Sequence, residues 1–293
     1  MKKYFLALLG LIVAFSIQAQ NAFIDIPQSY WADFKFEEAL QKANNGDSEA
    51  QFMIALYYTD VDPNIVKFKT WIEKAAALSH SGALCLIAQC YAVGDYGFEQ
   101  DEEKALKYAR LSANLNNVQA ISMMFDVYRV GMFGVKKDDS QAAYWIGKGA
   151  RLGDAYSQYW YGIMLMNGIG YLKDEQQGLL WLQKSADQKY IEAQANLICY
   201  YGAKDDQKSK TKLMSIGLDF LINPDINQNT ESILVAKGIL GFEFFNRKNY
   251  KKGIQLMREA LNSQNELIQF LWHTMNKYTQ EVLGTTISEL ENQ

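Results

Sequence analysis

Four separate registers advance along this chain with nearly the same step. Trp71, Tyr108, Trp145 and Trp181 are 37, 37 and 36 positions apart. Ala50, Ala83, Ala120, Ser157 and Ala193 step by 33, 37, 37 and 36. Gly94, Gly131 and Gly168 form a third register, and Asp101, Asp138 and Asp174 a fourth. A fixed period between 20 and 50 residues is the mark of stacked repeats, in which each unit buries its apolar face against its neighbours. Such a chain can reach 293 residues without needing one oversized core.

One period reads as two helices. In residues 81–117, Ala83, Ile87, Ala88 and Tyr91 make an apolar stripe at helical spacing. Gly94 and Gly97 then bracket a turn, where glycine tolerates positive φ. Asp101 is placed to cap a second helix, and Glu102 and Glu103 behind it complement the helix dipole. Ala105, Tyr108, Leu111 and Ser112 give the second inward stripe, and Asn116 and Asn117 break the chain. Residues 118–154 and 155–190 repeat this plan, and 47–80 is a shortened copy in which Asp60, Val61 and Asp62 replace the glycine turn. Only three prolines occur, Pro27, Pro63 and Pro224, each at an expected loop or helix start. The fold class predicted is therefore all-α.

The pattern resembles the Sel-one-like repeat, a relative of the tetratricopeptide repeat. The match is carried by the Ala50-Gln51 start, by Ile54, Ile87, Met124 and Tyr161 at one apolar position, and by the glycine turns and aspartates. Runs such as Trp71-Ile72-Glu73-Lys74-Ala75-Ala76 and Trp145-Ile146-Gly147-Lys148-Gly149-Ala150 complete it. The resemblance spans 47–202, with large residues at Phe125 and Ile198 where small ones are expected. It implies a right-handed α-α superhelix whose first helices line a concave groove. Flanking it, residues 20–46 read as a segment with a capping helix. Residues 203–262 read as a degenerate repeat plus a tetratricopeptide-like unit, and 263–293 as a capping helix and tail.

The first 19 residues read as a signal peptide: Lys2 and Lys3, an apolar run from Phe5 to Phe15, then Ser16 to Ala19 as a small exit. An uncleaved membrane anchor is the alternative. The expected location is the periplasm after crossing the inner membrane, with no membrane span once the signal is removed.

Nothing in the chain assembles into a catalytic or metal-binding motif. The two histidines, His80 and His273, lack partners at ligand spacing. Gly168-Ile169-Gly170 lacks the third glycine of a dinucleotide loop, and the acidic pairs recur where helices begin. Cys85, Cys90 and Cys199 are an odd set, and the first two point to different faces of one helix, so all three read as small buried residues. No cofactor is predicted, and the formal charge of −4 without a basic block argues against nucleic acid. The resemblance implies a protein or peptide partner held along the groove, with Phe52, Leu56, Gln89, Asp126, Arg129, Tyr159, Ile163, Met166 and Asn167 facing it. These side chains either bind that partner or are covered by neighbouring helices. Relatives of the family have been associated with cell-wall and β-lactam-type hydrolysis, but no residues here support that chemistry. A passive envelope or immunity component is a third alternative.

Overall fold

The computed structural model describes residues 28–227, 230–261 and 265–291, so the expected signal peptide lies outside the described residues. The chain divides into two units, one ending at Asp174 and one beginning at Glu175. Among the described residues there is no strand, and the fold is the all-α helical-repeat class.

The first unit opens with α1 (Gln28–Ala32) and α2 (Phe36–Asn44). Three helix pairs follow: α3 (Ser48–Asp60) with α4 (Ile65–Ala77), α5 (Ser81–Val93) with α6 (Glu102–Asn114), and α7 (Val118–Asp126) with α8 (Asp139–Arg151). Helix α9 (Ala155–Asn167) ends the unit. Helix α7 runs directly into a five-residue π-helical turn, Val127–Gly131.

The second helix of each of the three pairs starts where a short polar side chain replaces a missing intrahelical acceptor. Asn64, Asp101 and Asp138 accept hydrogen bonds from the backbone N–H of Lys67, Lys104 and Gln141 at the starts of α4, α6 and α8. The backbone N–H of Lys104 and then its ammonium hold the Asp101 carboxyl below its ordinary value. The N–H groups of these capping residues in turn donate to the carbonyls of Tyr58, Tyr91 and Tyr128, near the end of the preceding helix, at 2.8–2.9 Å. Each pair is thus closed on itself by one local bond.

The other joint, from a second helix to the next pair, follows a register that composition hides. Gly46, Ser79, Asn116 and Gly153 all have positive φ, between 61° and 95°. The N–H of the following residue reaches back to the carbonyl five positions earlier: Asp47 to Lys42, His80 to Ala75, Asn117 to Ser112, Asp154 to Gly149. This is the Schellman closure of a helix C-terminus. The same four following residues cap the next helix: Asp47, His80, Asn117 and Asp154 accept from the N–H of Ala50, Ala83, Ala120 and Ser157. His80 does so through Nδ1 at 3.1 Å. Its Nε2 lies 2.9 Å from Glu49 Oε2 and its ring packs against Phe52.

Inside, small residues let the helices approach and larger ones fill the remaining space. The fully buried second-helix stripe is Ala105, Ala109, Ser112 and Ala113, so the expected Leu111 is not part of it: Leu111 stands 44% exposed. Ala105 and Ser112 are buried as expected and Tyr108 packs partly buried on the core, so only Leu111 falls outside the stripe. Gly149 of α8 lies against Ser157 of α9 so closely that a Cβ there would meet Ser157 Oγ and Cβ and Ile121 Cγ2. Lys148 spans the joint between α6 and α8: its Nζ donates to the carbonyls of Ala113 (2.6 Å) and Asn114 (3.3 Å), the open end of α6, and lies 5.6 Å over the Trp145 ring.

The second unit contains α10 (Glu175–Asp187), α11 (Ile191–Gly202), α12 (Gln207–Leu221), a 3₁₀ turn (Pro224–Asn227), α13 (Glu231–Asn246), α14 (Tyr250–Ala260), α15 (Glu266–Glu281) and α16 (Ile287–Glu291). Helices α13 and α14 cross most closely at Gly241 and Gly253, where a Cβ on either would meet the other's carbonyl oxygen at 2.7–2.8 Å. Trp181 carries Lys184 at 3.9 Å over its ring, the same i, i+3 arrangement as Lys74 over Trp71 at 4.1 Å. The short α16 packs Ile287 and Leu290 into the core built on Ile254, Met257 and Met275.

Candidate functional site on the first-helix face

The residues expected to face a groove are mostly not free. Phe52, Leu56, Tyr159, Ile163 and Met166 are buried, so the expectation that they stand open to a partner needs correction. For Phe52 the reason is the His80 ring, 4.5 Å away. Tyr159 lies edge-on to Trp160 at 5.4 Å. Gln89 and Asn167 are half-buried, and the Asn167 amide is spent on the Ile163 carbonyl at 2.7 Å.

Two of the nine come together. Asp126 ends α7 and Arg129 sits in the π turn, one helical step on. Arg129 donates through both Nε (3.1 Å) and Nη2 (2.7 Å) to the single oxygen Oδ1 of Asp126. The guanidinium lies over two rings, Phe125 at 5.3 Å and Trp160 of α9 at 5.1 Å. Tyr156, also on α9, packs edge-on to both rings. The two charged side chains are only 15% and 12% exposed. Burial raises the Asp126 carboxyl above its ordinary value, with Arg129 pulling the other way. Burial also pushes the Tyr156 hydroxyl up, and the Asp126 charge adds to this.

The pair belongs to one repeat alone. One period earlier the same positions hold Gln89 and Ala92, and one period later Ile163 and Met166. The helix ending differs as well. Helices α3, α5 and α9 are each 13 residues long, whereas α7 has nine and yields to the π turn. Such widened turns collect at functional positions. Phe125, the large residue where the repeat pattern expects a small one, is fully buried and forms the floor under Arg129. Sequence reasoning named Asp126 and Arg129 but not their bond; the i, i+3 acid–base spacing was the available signal. It missed Tyr156 and Trp160, whose neighbourhood depends on how α9 packs on α7.

The repeats now have both a period and a geometry. The Sel1 repeat family matches four successive segments, residues 48–80, 81–117, 118–154 and 155–190. The chain carries four Sel1 repeats. Among solved structures, a protective antigen present in uropathogenic Escherichia coli strains displaying an SLR fold aligns over 88% of this chain and 62% of its own, at 20% identity and TM-score 0.59. This chain therefore spans under two thirds of that antigen's length. A Sel1 repeat protein from Oxalobacter formigenes aligns over 49% of this chain and 95% of its own (25% identity, TM-score 0.39). Helicobacter pylori cysteine rich protein B does so over 46% and 96% (23%, 0.35). No curated protein matches the chain.

Sel1-repeat proteins are generally protein-interaction scaffolds. Among the described residues no cluster of three or more His, Cys, Asp or Glu could hold a metal ion, and no helix is long and apolar enough to cross a membrane.

Proposed function

We propose that this Sel1-repeat protein is a non-catalytic scaffold that holds a protein or peptide partner on the first-helix face of its repeats, after export to the periplasm. The observation that carries the reading is the Asp126–Arg129 pair among Phe125, Tyr156 and Trp160. Burying an ion pair costs desolvation, and a stacking fold needs no such pair, since the neighbouring repeats fill the same positions with Gln89/Ala92 and Ile163/Met166. Arginine and aromatic side chains held rigidly together are the groups that anchor interfaces. Buried Phe52, Leu56, Ile163 and Met166 support that surface from below rather than contacting a partner.

The test is site-specific photo-crosslinking in envelope preparations. A crosslinker at Gln89 or Asn167, on first helices, should trap one discrete partner band. The same group at the exposed second-helix positions Leu111 or Tyr144 should not. Equal trapping from both faces, or none from the first, refutes the assignment. Export is tested separately by fractionation and by sequencing the amino terminus of the processed protein, which should begin at Gln20.

A further inference from the structure

The chain has two Asn-Gly steps, Asn45-Gly46 and Asn167-Gly168. Such a step carries its own chemistry, because no side chain beside the glycine nitrogen hinders its approach to the asparagine side-chain carbonyl. The structure sets the two steps apart. Asn45 is the exposed residue that ends α2, and its side chain makes no hydrogen bond among the described residues. Gly46 has a φ of 90° and nothing within 4 Å of where a Cβ would stand. Asn167 is half-buried, and its amide is held on the Ile163 carbonyl at 2.7 Å. The returning chain also covers Gly168: Lys173 Cβ lies 3.2 Å from the place of a Cβ there.

The bonds that must open first differ as well. Gly46 N–H donates to the Ala43 carbonyl and Asp47 N–H to the Lys42 carbonyl, both at 3.1 Å. These close the last turn of α2, and helix ends open at little cost. Gly168 N–H is held on the Leu165 carbonyl at 3.4 Å, and the Asp174 N–H reaches that same carbonyl at 2.8 Å. Freeing Gly168 therefore undoes a closed hairpin, and freeing Asn167 breaks its side-chain bond besides.

We infer that Asn45 is a site of spontaneous deamidation and that the fold protects Asn167 from the same reaction. The Gly46 backbone nitrogen bonds to Cγ of Asn45, and the Cγ–Nδ2 bond breaks. Nδ2 leaves as ammonia, taking up the proton that the Gly46 nitrogen gives up. A solvent water then opens the cyclic imide, at Cγ to give aspartate or at the main-chain carbonyl carbon to give isoaspartate; nothing is oxidised or reduced. The isoaspartyl link adds one carbon to the main chain between residue 45 and Gly46. That displaces Asp47, whose N–H closes α2 and whose carboxylate caps α3 on the Ala50 N–H at 2.9 Å. The modification thus loosens the joint between α2 and the first repeat.

The experiment ages the full chain at neutral pH, native and in urea, and follows both Asn-Gly steps by peptide mass spectrometry. In the native protein Asn45 should convert about tenfold or more faster than Asn167, and in urea the two rates should converge. Equal native rates, a faster Asn167, or a native Asn45 that does not convert overturns the assignment. The joint is read by hydrogen exchange over residues 36–50. The isoaspartyl fraction, separated by chromatography, is compared with Asn45→Asp, which has the same mass and charge on an ordinary backbone. Faster exchange in the isoaspartyl fraction is expected. Matching exchange refutes the loosening of the joint.

Discussion

Replacing Gly149 by alanine tests the small-on-small contact between α8 and α9. An isolated helix gains about 1 kcal/mol from glycine to alanine in its interior. Here the new methyl meets Ser157 Oγ, with Ser157 Cβ at 2.8 Å and Ile121 Cγ2 at 3.1 Å, all inside ordinary carbon contact. Ser157 Cβ is fixed to its helix and cannot rotate away, so α9 itself has to shift. Overpacking of this kind costs roughly 1–3 kcal/mol. The net expected effect is a loss of about 1 kcal/mol where propensity alone predicts a gain of the same size. The assay is a double-mutant cycle by chemical denaturation, pairing Gly149→Ala with Ser157→Gly, which deletes both crowding atoms. The double variant should recover at least about 1 kcal/mol relative to the sum of the single changes. A stabilising Gly149→Ala, or strict additivity, would refute the argument that this contact sets the spacing of α8 and α9.

Ser157→Ala should raise stability by about 1 kcal/mol in the same assay, because the buried Ser157 hydroxyl has no hydrogen-bond partner among the described residues. His80→Ala should cost about 1 kcal/mol in thermal or denaturant melts through loss of the α5 cap, and His80→Asn should restore most of it, since asparagine fills the equivalent position at Asn117. The Asp126 carboxyl is raised in the fold, so its protonated form is favoured there: its contribution is greatest below the ordinary value of 3.8 and is lost as pH rises through the raised one. The stability of Asp126→Asn relative to wild type should therefore shift toward the variant across that window and level off above it. Burial pushes the thiols of Cys85, Cys90 and Cys199 up to about 12, so a thiol reagent at neutral pH should label none of them quickly in the native protein and all three in denaturant.

The repeat plan was legible because its chemistry recurs. Asp101 and Asp138 stand at helix starts for a reason that a single side chain states by itself, and Gly94 and Gly131 mark the turns in the same way. The positive-φ joint was less visible, because glycine, serine, asparagine and glycine occupy it in turn, and only the backbone shows that Gly46, Ser79, Asn116 and Gly153 are equivalent. Which side of α6 is inward was legible at Ala105, Tyr108 and Ser112 but not at Leu111. The candidate site was harder again. Asp126 and Arg129 were singled out as lone groove positions, but their pairing depends on the π turn, and their aromatic surroundings on the packing of α9 across α7. Periodicity reports what copies share, so a feature confined to one copy leaves no periodic trace.

The capping bonds bear on how such a chain can lengthen over evolutionary time. Within residues 48–154 every hairpin carries its own latch, the amide of the second-helix cap seated on the carbonyl of Tyr58, Tyr91 or Tyr128. A duplicated or deleted segment of one whole period brings or removes its latch with it and restores every later contact, whereas gaining or losing a single residue inside a helix rotates all that follows it by about 100°. The gene can therefore change length readily in whole modules or within a turn, as the short turn at Asp60, Val61 and Asp62 shows, and hardly at all inside a helix.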